Sequence, residues 1–142
     1  MIKPDTLEQR RGRAGKRTPN SGCPLIVLNP RGVPCLTAGG AGGTMITTAM
    51  SQIMVNCIDR DWSLQPAISA PRLHNDGFVT RVDARVGRQS IDKLRELGHD
   101  VNVVSPSFGL PQFSRMNGIT MTEDGGLRSG IESVIDSGAA GF

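Results

Sequence analysis

The spacing of apolar and polar positions changes several times along the chain, and each change marks an element. Leu25, Ile26, Val27 and Leu28 form a short apolar run. Asn29-Pro30-Arg31-Gly32 follows, a combination that favours a tight turn, and Val33 to Thr37 reads as the returning strand of a hairpin. From Met45 the pattern becomes helical. Met45, Ile46, Ala49, Met50, Ile53, Met54, Cys57 and Ile58 recur as adjacent pairs every four residues, the period of one helical face. The opposite face carries Thr44, Thr47, Thr48, Ser51, Gln52 and Asn56, and between residues 18 and 58 the only charged side chain is Arg31. A surface helix normally carries charge on its outer side. This helix is therefore expected to be buried over most of its circumference.

Ser63 is placed to cap a second, short helix with Pro66 in its first turn, where proline is tolerated. Pro71 ends it, because the residue before a proline is pushed out of the α region. Residues 78–82 read as a strand. Ser90 to Leu97 reads as a helix with Ile91, Leu94 and Leu97 on one side and Gly98 as its stop. Val101 to Val104 reads as a strand, and Ile119 to Thr122 with a segment from Leu127 reads as a hairpin about Glu123-Asp124-Gly125-Gly126. Strands cluster at both ends of this order, which indicates a mixed α+β fold rather than a doubly wound parallel sheet.

Composition and charge narrow the function classes. The 142 residues suffice for one domain or part of one, and with 4% aromatic residues the core is poor in large rings. Residues 1–17 hold six basic and two acidic side chains, a net +4, whereas the rest hold ten basic and eleven acidic, a net −1. The basic balance belongs to an arm, not to a folded face, so a nucleic-acid partner is not indicated. Residues 1–22 read as a basic, flexible tail or truncated loop, and residues 23–142 as the folded part. No run of 18 apolar residues exists to form a membrane-spanning helix, and no secretory h-region is visible. Cys23, Cys35 and Cys57 are widely spaced with no His pair nearby, so a zinc site is not indicated and they read as small buried hydrophobes. Trp62 reads as a core anchor between two helices and Arg72 as an ion-pair partner in the core. His74 and His99, the two imidazoles, read as structural, since neither stands in a Ser–His–Asp pattern.

The most informative stretch is Ala38-Gly39-Gly40-Ala41-Gly42-Gly43, which leads into the neutral helix. Glycine lets backbone N–H groups converge on a ligand, and a helix start adds unpaired donors and the positive end of the dipole. Three readings are open: a phosphate cradle, an oxyanion hole for acyl transfer, or a turn that merely packs closely. A Walker-type phosphate loop would need Gly-Lys-Ser/Thr, and here Gly43 is followed by Thr44 and Met45. A Gly-x-Gly-x-x-Gly dinucleotide register does not fit either.

Four segments in register carry a resemblance. Asn20-Ser21-Gly22-Cys23-Pro24, Gly39-Gly40-Ala41-Gly42-Gly43-Thr44, Ala70-Pro71-Arg72-Leu73-His74 and Ala140-Gly141-Phe142 resemble the γ-glutamyltransferases, or glutathione hydrolases. The corresponding segments there run Ser-Ser-Met-Ser-Pro, Gly-Ser-Pro-Gly-Gly-Ser, Ala-Pro-Arg-Phe-His and Ala-Gly-Tyr. The resemblance implies an N-terminal-nucleophile hydrolase with an αββα sandwich, of which this chain would be the C-terminal section of the light, catalytic subunit. It implies γ-glutamyl acyl transfer or hydrolysis, with Gly42 and Gly43 supplying the oxyanion-hole amides. Ser21 would contact the substrate carboxylate, and Asn20 stands where the family has a further serine.

The family's threonine nucleophile has no counterpart here, since Thr47 and Thr48 fall mid-helix and cannot supply a free α-amine as base. Ala41 replaces a proline, Met45 an arginine and Gly22 a methionine. These departures leave two alternatives beside the glutathione reading: a related acylase with another acyl substrate, or a non-catalytic fragment that only binds. No metal or organic cofactor is implied. The implied partners are a γ-glutamyl substrate and either upstream catalytic and heavy-subunit segments or a second copy. The family resides mostly outside the cytoplasm.

The arm yields the first prediction. Limited trypsin digestion is expected to trim between Arg10 and Arg17 before it cuts at Arg72 or Arg95. Interior cleavage ahead of the arm would show that the arm is docked.

Overall fold

The computed structural model describes residues 15, 17, 20–105, 112–133 and 138–141. The first hairpin forms: β1 (Leu25–Leu28) pairs antiparallel with β2 (Pro34–Ala41). Its turn is held by Asn29, whose side-chain oxygen accepts the amides of Arg31 and Val33, each at 3.0 Å. Helices α1 (Met45–Ile58) and α2 (Leu64–Ser69) follow, then β3 (Leu73–Asn75), β4 (Thr80–Asp83), a 3-10 turn at Ala84–Val86, α3 (Arg88–Glu96), β5 (Val101–Val104), β6 (Arg115–Met121) and β7 (Leu127–Ile131). One sheet has the order β1-β2-β6-β7 and is antiparallel throughout; the other has the order β3-β4-β5, with β4 and β5 parallel across α3.

The glycine stretch is not the loop that its composition suggests. Residues 38–41 lie inside β2, where Gly39 and Gly40 pair with Asn117 and Met116 of β6. Strand neighbours on both sides override glycine's weak strand preference. β6 likewise begins at Arg115, four residues before the expected start, because it is matched to β2 along its length. The short β3 and the 3-10 turn carried no periodic signal and were not expected.

Leu25, Ala38, Gly118 and Gly130 form one row across all four strands of the larger sheet. Paired residues share a face, and this face carries the core. Ile46, Ala49, Met50 and Ile53 of α1 and Leu64, Ala67 and Ile68 of α2 cover it, with Leu36, Ala38 and Met116 beneath. The glycines of the row are required by close approach. A Cβ on Gly130 would lie 2.7 Å from Leu64 Cγ and 3.0 Å from Ile68 Cδ1, and one on Gly118 would lie 2.6 Å from the Thr37 carbonyl oxygen. Burial of each long side chain such as Ile53 or Ile68 contributes about 1.5–3 kcal/mol.

Several expectations are corrected. The neutral helix α1 buries Ile46, Ala49, Met50, Ile53 and Asn56 but not most of its circumference, and Thr47, Ser51, Val55 and Ile58 form an exposed stripe. The sheet of this chain already covers Met50 and Ile53, so their burial needs no second chain. Trp62 is 43% exposed and is not a core anchor. Leu97 is also exposed, because Gly98 at φ +88° ends the helix and α3 buries only Ile91. The three cysteines are free and half-buried rather than buried. Ser63 occupies the N-cap of α2, but its side chain makes no capping bond. The basic arm lies outside the described residues, apart from residues 15, 17 and 20–22.

Arg72 does enter a buried ion pair. It follows α2, and its Nη2 donates to Oε2 of Glu132, just beyond β7, with both side chains almost wholly buried. Gln65 ties the same two elements by accepting the Ile131 amide at 2.9 Å and donating to the Ile131 carbonyl at 3.0 Å. Nearby, buried Asp83 accepts from Arg85 Nη2 at 2.6 Å, and Arg85 Nη1 donates to the Ser69 carbonyl at 3.1 Å. Breaking a buried pair from one side leaves an uncompensated charge. Glu132→Gln is therefore expected to lower stability by about 3–5 kcal/mol, whereas the double variant Arg72→Met/Glu132→Met should recover most of the loss. Urea denaturation of the three proteins checks this, and a single variant as stable as the parent would show that the pair is not coupled to folding.

Candidate active site

The turn between β2 and α1 is built by two glycines with positive φ. Gly42 has φ +151° and Gly43 φ +64°, both values that L side chains adopt rarely. At Gly42 space is also closed, since a Cβ there would lie 2.8 Å from both Cα and Cβ of Ser114. The Ile46 amide donates to the Gly43 carbonyl at 3.2 Å, which places Gly43 at the first turn of α1. The amides of Gly42, Gly43 and Thr44 donate to no acceptor among the described residues. Those free donors, with the helix start behind them and no acidic side chain in the first turn of α1, form a patch of positive potential.

Asn20 and Ser21 approach the same end of the sheet. The Leu25–Ala38 pair fixes the register of β1 on β2. Ser21 lies four residues before Leu25, and Gly42 four residues after Ala38, so both project from the edge where β1 begins and β2 ends. Asn20 closes a local turn, its Oδ1 accepting the Gly22 amide at 2.8 Å, and both Asn20 and Ser21 are exposed. No hydrogen bond links either residue to the glycine turn among the described residues. The chain thus brings the four candidate residues to one end of the sheet without tying them together.

Sequence reasoning missed Ser114. It stands against Gly42, is 1% exposed, and its Oγ has no hydrogen-bond partner among the described residues. Nothing local in Phe113-Ser114-Arg115 distinguishes it; only the β2–β6 pairing brings it to the turn. Among the described residues, no group of His, Cys, Asp and Glu is placed to hold a metal ion.

His74 is in β3 and is buried. Its Nδ1 lies 2.9 Å from Thr48 Oγ1 on α1, and its Nε2 lies 4.0 Å from Asp76 Oδ2. His99 Nδ1 lies 3.2 Å from Thr80 Oγ1, and its backbone amide donates to the Leu94 carbonyl at 3.1 Å beyond the end of α3.

The model of the family described as Gamma-glutamyltranspeptidase matches residues 6–142. The chain belongs to the gamma-glutamyltranspeptidase family.

Its relatives in that family are larger. It is 31% identical over 105 residues to a glutathione hydrolase of Aspergillus flavus, a match covering 72% of this chain and 18% of the relative. It is 33% identical over 113 residues to the acylase ACY 1 proenzyme of a Pseudomonas species, covering 80% of this chain and 19% of that protein. The chain thus spans about a fifth of the length of these curated relatives. Among solved structures, the gamma-glutamyltranspeptidase of Pseudomonas nitroreducens superimposes with a TM-score of 0.76 at 22% identity, covering 92% of this chain and 66% of that one. The likeness confirms a mixed α/β fold of this family's kind. All four candidate residues lie within the matched span.

Burial pushes the His74 imidazole below its ordinary value of 6.5; Asp76 opposes this and Arg81 reinforces it. The folded protein therefore favours the neutral ring, while the unfolded chain takes up the proton more readily. The resulting contribution to stability is complete above about pH 6.5 and is lost as the pH falls below it. Urea midpoints measured at about pH 7.5 and about pH 5.5 are expected to drop more for the parent than for His74→Gln. An equal drop in both would remove His74 as the cause.

Proposed function

We propose that the chain works in γ-glutamyl acyl transfer or hydrolysis, on glutathione and related γ-glutamyl amides, as part of a larger N-terminal-nucleophile hydrolase. The observation that carries this reading is the Gly42–Gly43 turn, whose unpaired amides stand at the start of a helix with no acid in its first turn. In the reaction, a threonine outside these residues attacks the γ-carbonyl carbon, with its own α-amine taking the hydroxyl proton. The carbonyl oxygen becomes an oxyanion, and the Gly42 and Gly43 N–H groups donate to it. Collapse expels the amine, which takes the proton held by the threonine's α-ammonium, and leaves an acyl-enzyme, which water or an acceptor amine then cleaves. Each donor of this kind lowers the barrier by about 3–4 kcal/mol. Ser21 and Asn20, at the same sheet end, hold the α-carboxylate of the glutamyl group.

The larger sheet also supports the incomplete-sandwich reading. Its face away from α1 and α2 exposes Ile26, Leu28, Ile119 and Leu127, and in an αββα sandwich a second sheet would cover that face. Upstream segments or a second copy would supply the cover.

A second reading, a related acylase with a different acyl group, is favoured by the likeness to the Pseudomonas acylase. Assays with γ-glutamyl-p-nitroanilide separate the readings. The 142 residues expressed alone are expected to show no turnover. In the enzyme that contains them, Gly42→Ala keeps the amide but sets a Cβ against Ser114 and so displaces the donor, which should lower kcat by up to about 10²–10³, the effect of a lost donor, and Ser21→Ala should raise KM more than it lowers kcat. Turnover by the isolated residues at the rate of the larger enzyme would overturn the assignment of the nucleophile. A larger enzyme that ignores γ-glutamyl amides but cleaves other acyl amides would favour the acylase reading.

A further inference from the structure

Helix α1 begins without a cap of its own. Thr44 occupies the N-cap position, but its side chain makes no capping bond. Side-chain bonds to β3 hold the helix instead. Gln52 on α1 donates from Nε2 to the Leu73 carbonyl at 2.8 Å and accepts the Leu73 amide on Oε1 at 3.0 Å. One turn earlier, Thr48 Oγ1 lies 2.9 Å from His74 Nδ1. Residues four apart share a helix face, so Thr48 and Gln52 grip two consecutive residues of one strand. His74 itself belongs to a cross-strand row with Arg81 of β4 and Asn102 of β5, and Arg81 Nη1 approaches Met45 Sδ at 3.5 Å. The smaller sheet thus meets α1 at its first turns.

Thr48 Oγ1 also donates to the Met45 carbonyl at 3.1 Å. A hydroxyl has one hydrogen to give and two lone pairs with which to accept. With that hydrogen on Met45, the contact to His74 is a bond only where Nδ1 carries a hydrogen and donates to Oγ1. Both contacts are then made, as a relay from His74 Nδ1–H through the Thr48 hydroxyl to the Met45 carbonyl. The other tautomer, with its hydrogen on Nε2, would take the Thr48 hydrogen for itself and leave the Met45 contact unmade. Asp76 favours that tautomer, but its Oδ2 is 4.0 Å from Nε2, beyond hydrogen-bond range, and its side chain is more than half exposed. Asp76 and Arg81 are the charged groups that bear on the ring; α1 presents Thr44, Met45 and Thr48 there and β5 presents Asn102, none of them charged. His74 is buried, so an unmade bond at Nδ1 is costly. The relay ends one residue from Ile46, whose amide holds the Gly43 carbonyl at 3.2 Å. It therefore reaches the turn of helix to which Gly43 is bonded.

We propose that His74 is a positioning residue for the Gly42–Gly43 turn, acting as the Nδ1–H tautomer through Thr48 on the first turn of α1. The relay stands on hydrogen-bond geometry, and only its effect on turnover rests on the oxyanion reading of the glycines. Isotope-labelled full chain reports the tautomer directly, because ring nitrogens with and without a hydrogen resonate far apart in a long-range proton–nitrogen NMR spectrum. At about pH 7.5 the hydrogen is expected on Nδ1. Thr48→Val keeps the branched shape but removes the acceptor, so it should move the hydrogen to Nε2 and shift the Gly43 amide signal. Thr48→Ser should retain the parent's signals. In the enzyme that contains these residues, Thr48→Val should lower kcat about tenfold with KM changed by less than about twofold, and Thr48→Ser should recover most of the loss. A bond that only stabilises the fold would lower the urea midpoint and leave kcat alone. Hydrogen on Nε2 in the parent, a Gly43 amide that ignores Thr48→Val, or a Thr48→Val enzyme with the parent's kcat would each overturn the proposal. Undiminished turnover by Gly42→Ala would instead count against the oxyanion reading, and the tautomer and the Gly43 shift would still decide the relay.

Discussion

The ladder between β2 and β6 joins segments about 80 residues apart in sequence, Leu36 to Thr120 and Ala41 to Arg115, and the rest of the structure hangs on it. Its register puts Leu36, Ala38, Met116 and Gly118 on the face that α1 and α2 cover. A slip by one residue would turn those positions outward and leave the helices without a core. The same register sets Ser114 beneath Gly42, so the turn that begins α1 is shaped by a residue far away in sequence. It also carries β7 alongside, and with β7 comes Glu132 to meet Arg72.

The Arg72–Glu132 pair illustrates how a small core is made specific rather than simply strong. Desolvating two charges costs about as much as their attraction returns, so the pair adds little net stability over apolar side chains of the same size. Its geometry nonetheless joins the segment after α2 to the segment after β7, and Gln65 bonds both backbone groups of Ile131 beside it. Asp83 and Arg85 extend the polar contacts to the end of β4. The Asp83 amide also donates to the Arg72 carbonyl at 3.0 Å, so the smaller sheet is held to the larger one through hydrogen-bonded polar groups.

The electrostatics of the candidate site follow from where charge is missing. Residues 18–58 contain one charged side chain, Arg31, and its guanidinium pairs with Glu123 at 3.1 Å beside the β6–β7 turn. The first turn of α1 thus carries no carboxylate of its own, and the two glycine amides stand at that end of the helix. On the other side of the same helix start, the row of His74, Arg81 and Asn102 adds a guanidinium and an imidazole whose burial keeps it neutral at physiological pH.

Periodicity alone determined the elements whose signal is local. The first hairpin follows from Leu25–Leu28 and Asn29-Pro30-Arg31-Gly32, and α1 follows from its paired apolar positions. The short α2 is bounded by Ser63 and Pro71, and α3 is stopped by Gly98. The ordered motifs around Ser21, Gly42, Gly43 and Arg72 determined the family, because residue identities at those positions survive in the linear order of the chain. What the sequence could not show is every feature that depends on a partner distant along the chain. Residues 38–41 are strand rather than loop because β6 supplies their hydrogen bonds. The outer stripe of α1 is exposed because a single sheet covers only one side of it. Ser114 reaches Gly42, and the row of His74, Arg81 and Asn102 assembles, only through strand pairing. Local propensity acts between near neighbours, whereas register is set by burying one face of each strand, and that requires the whole chain to be folded.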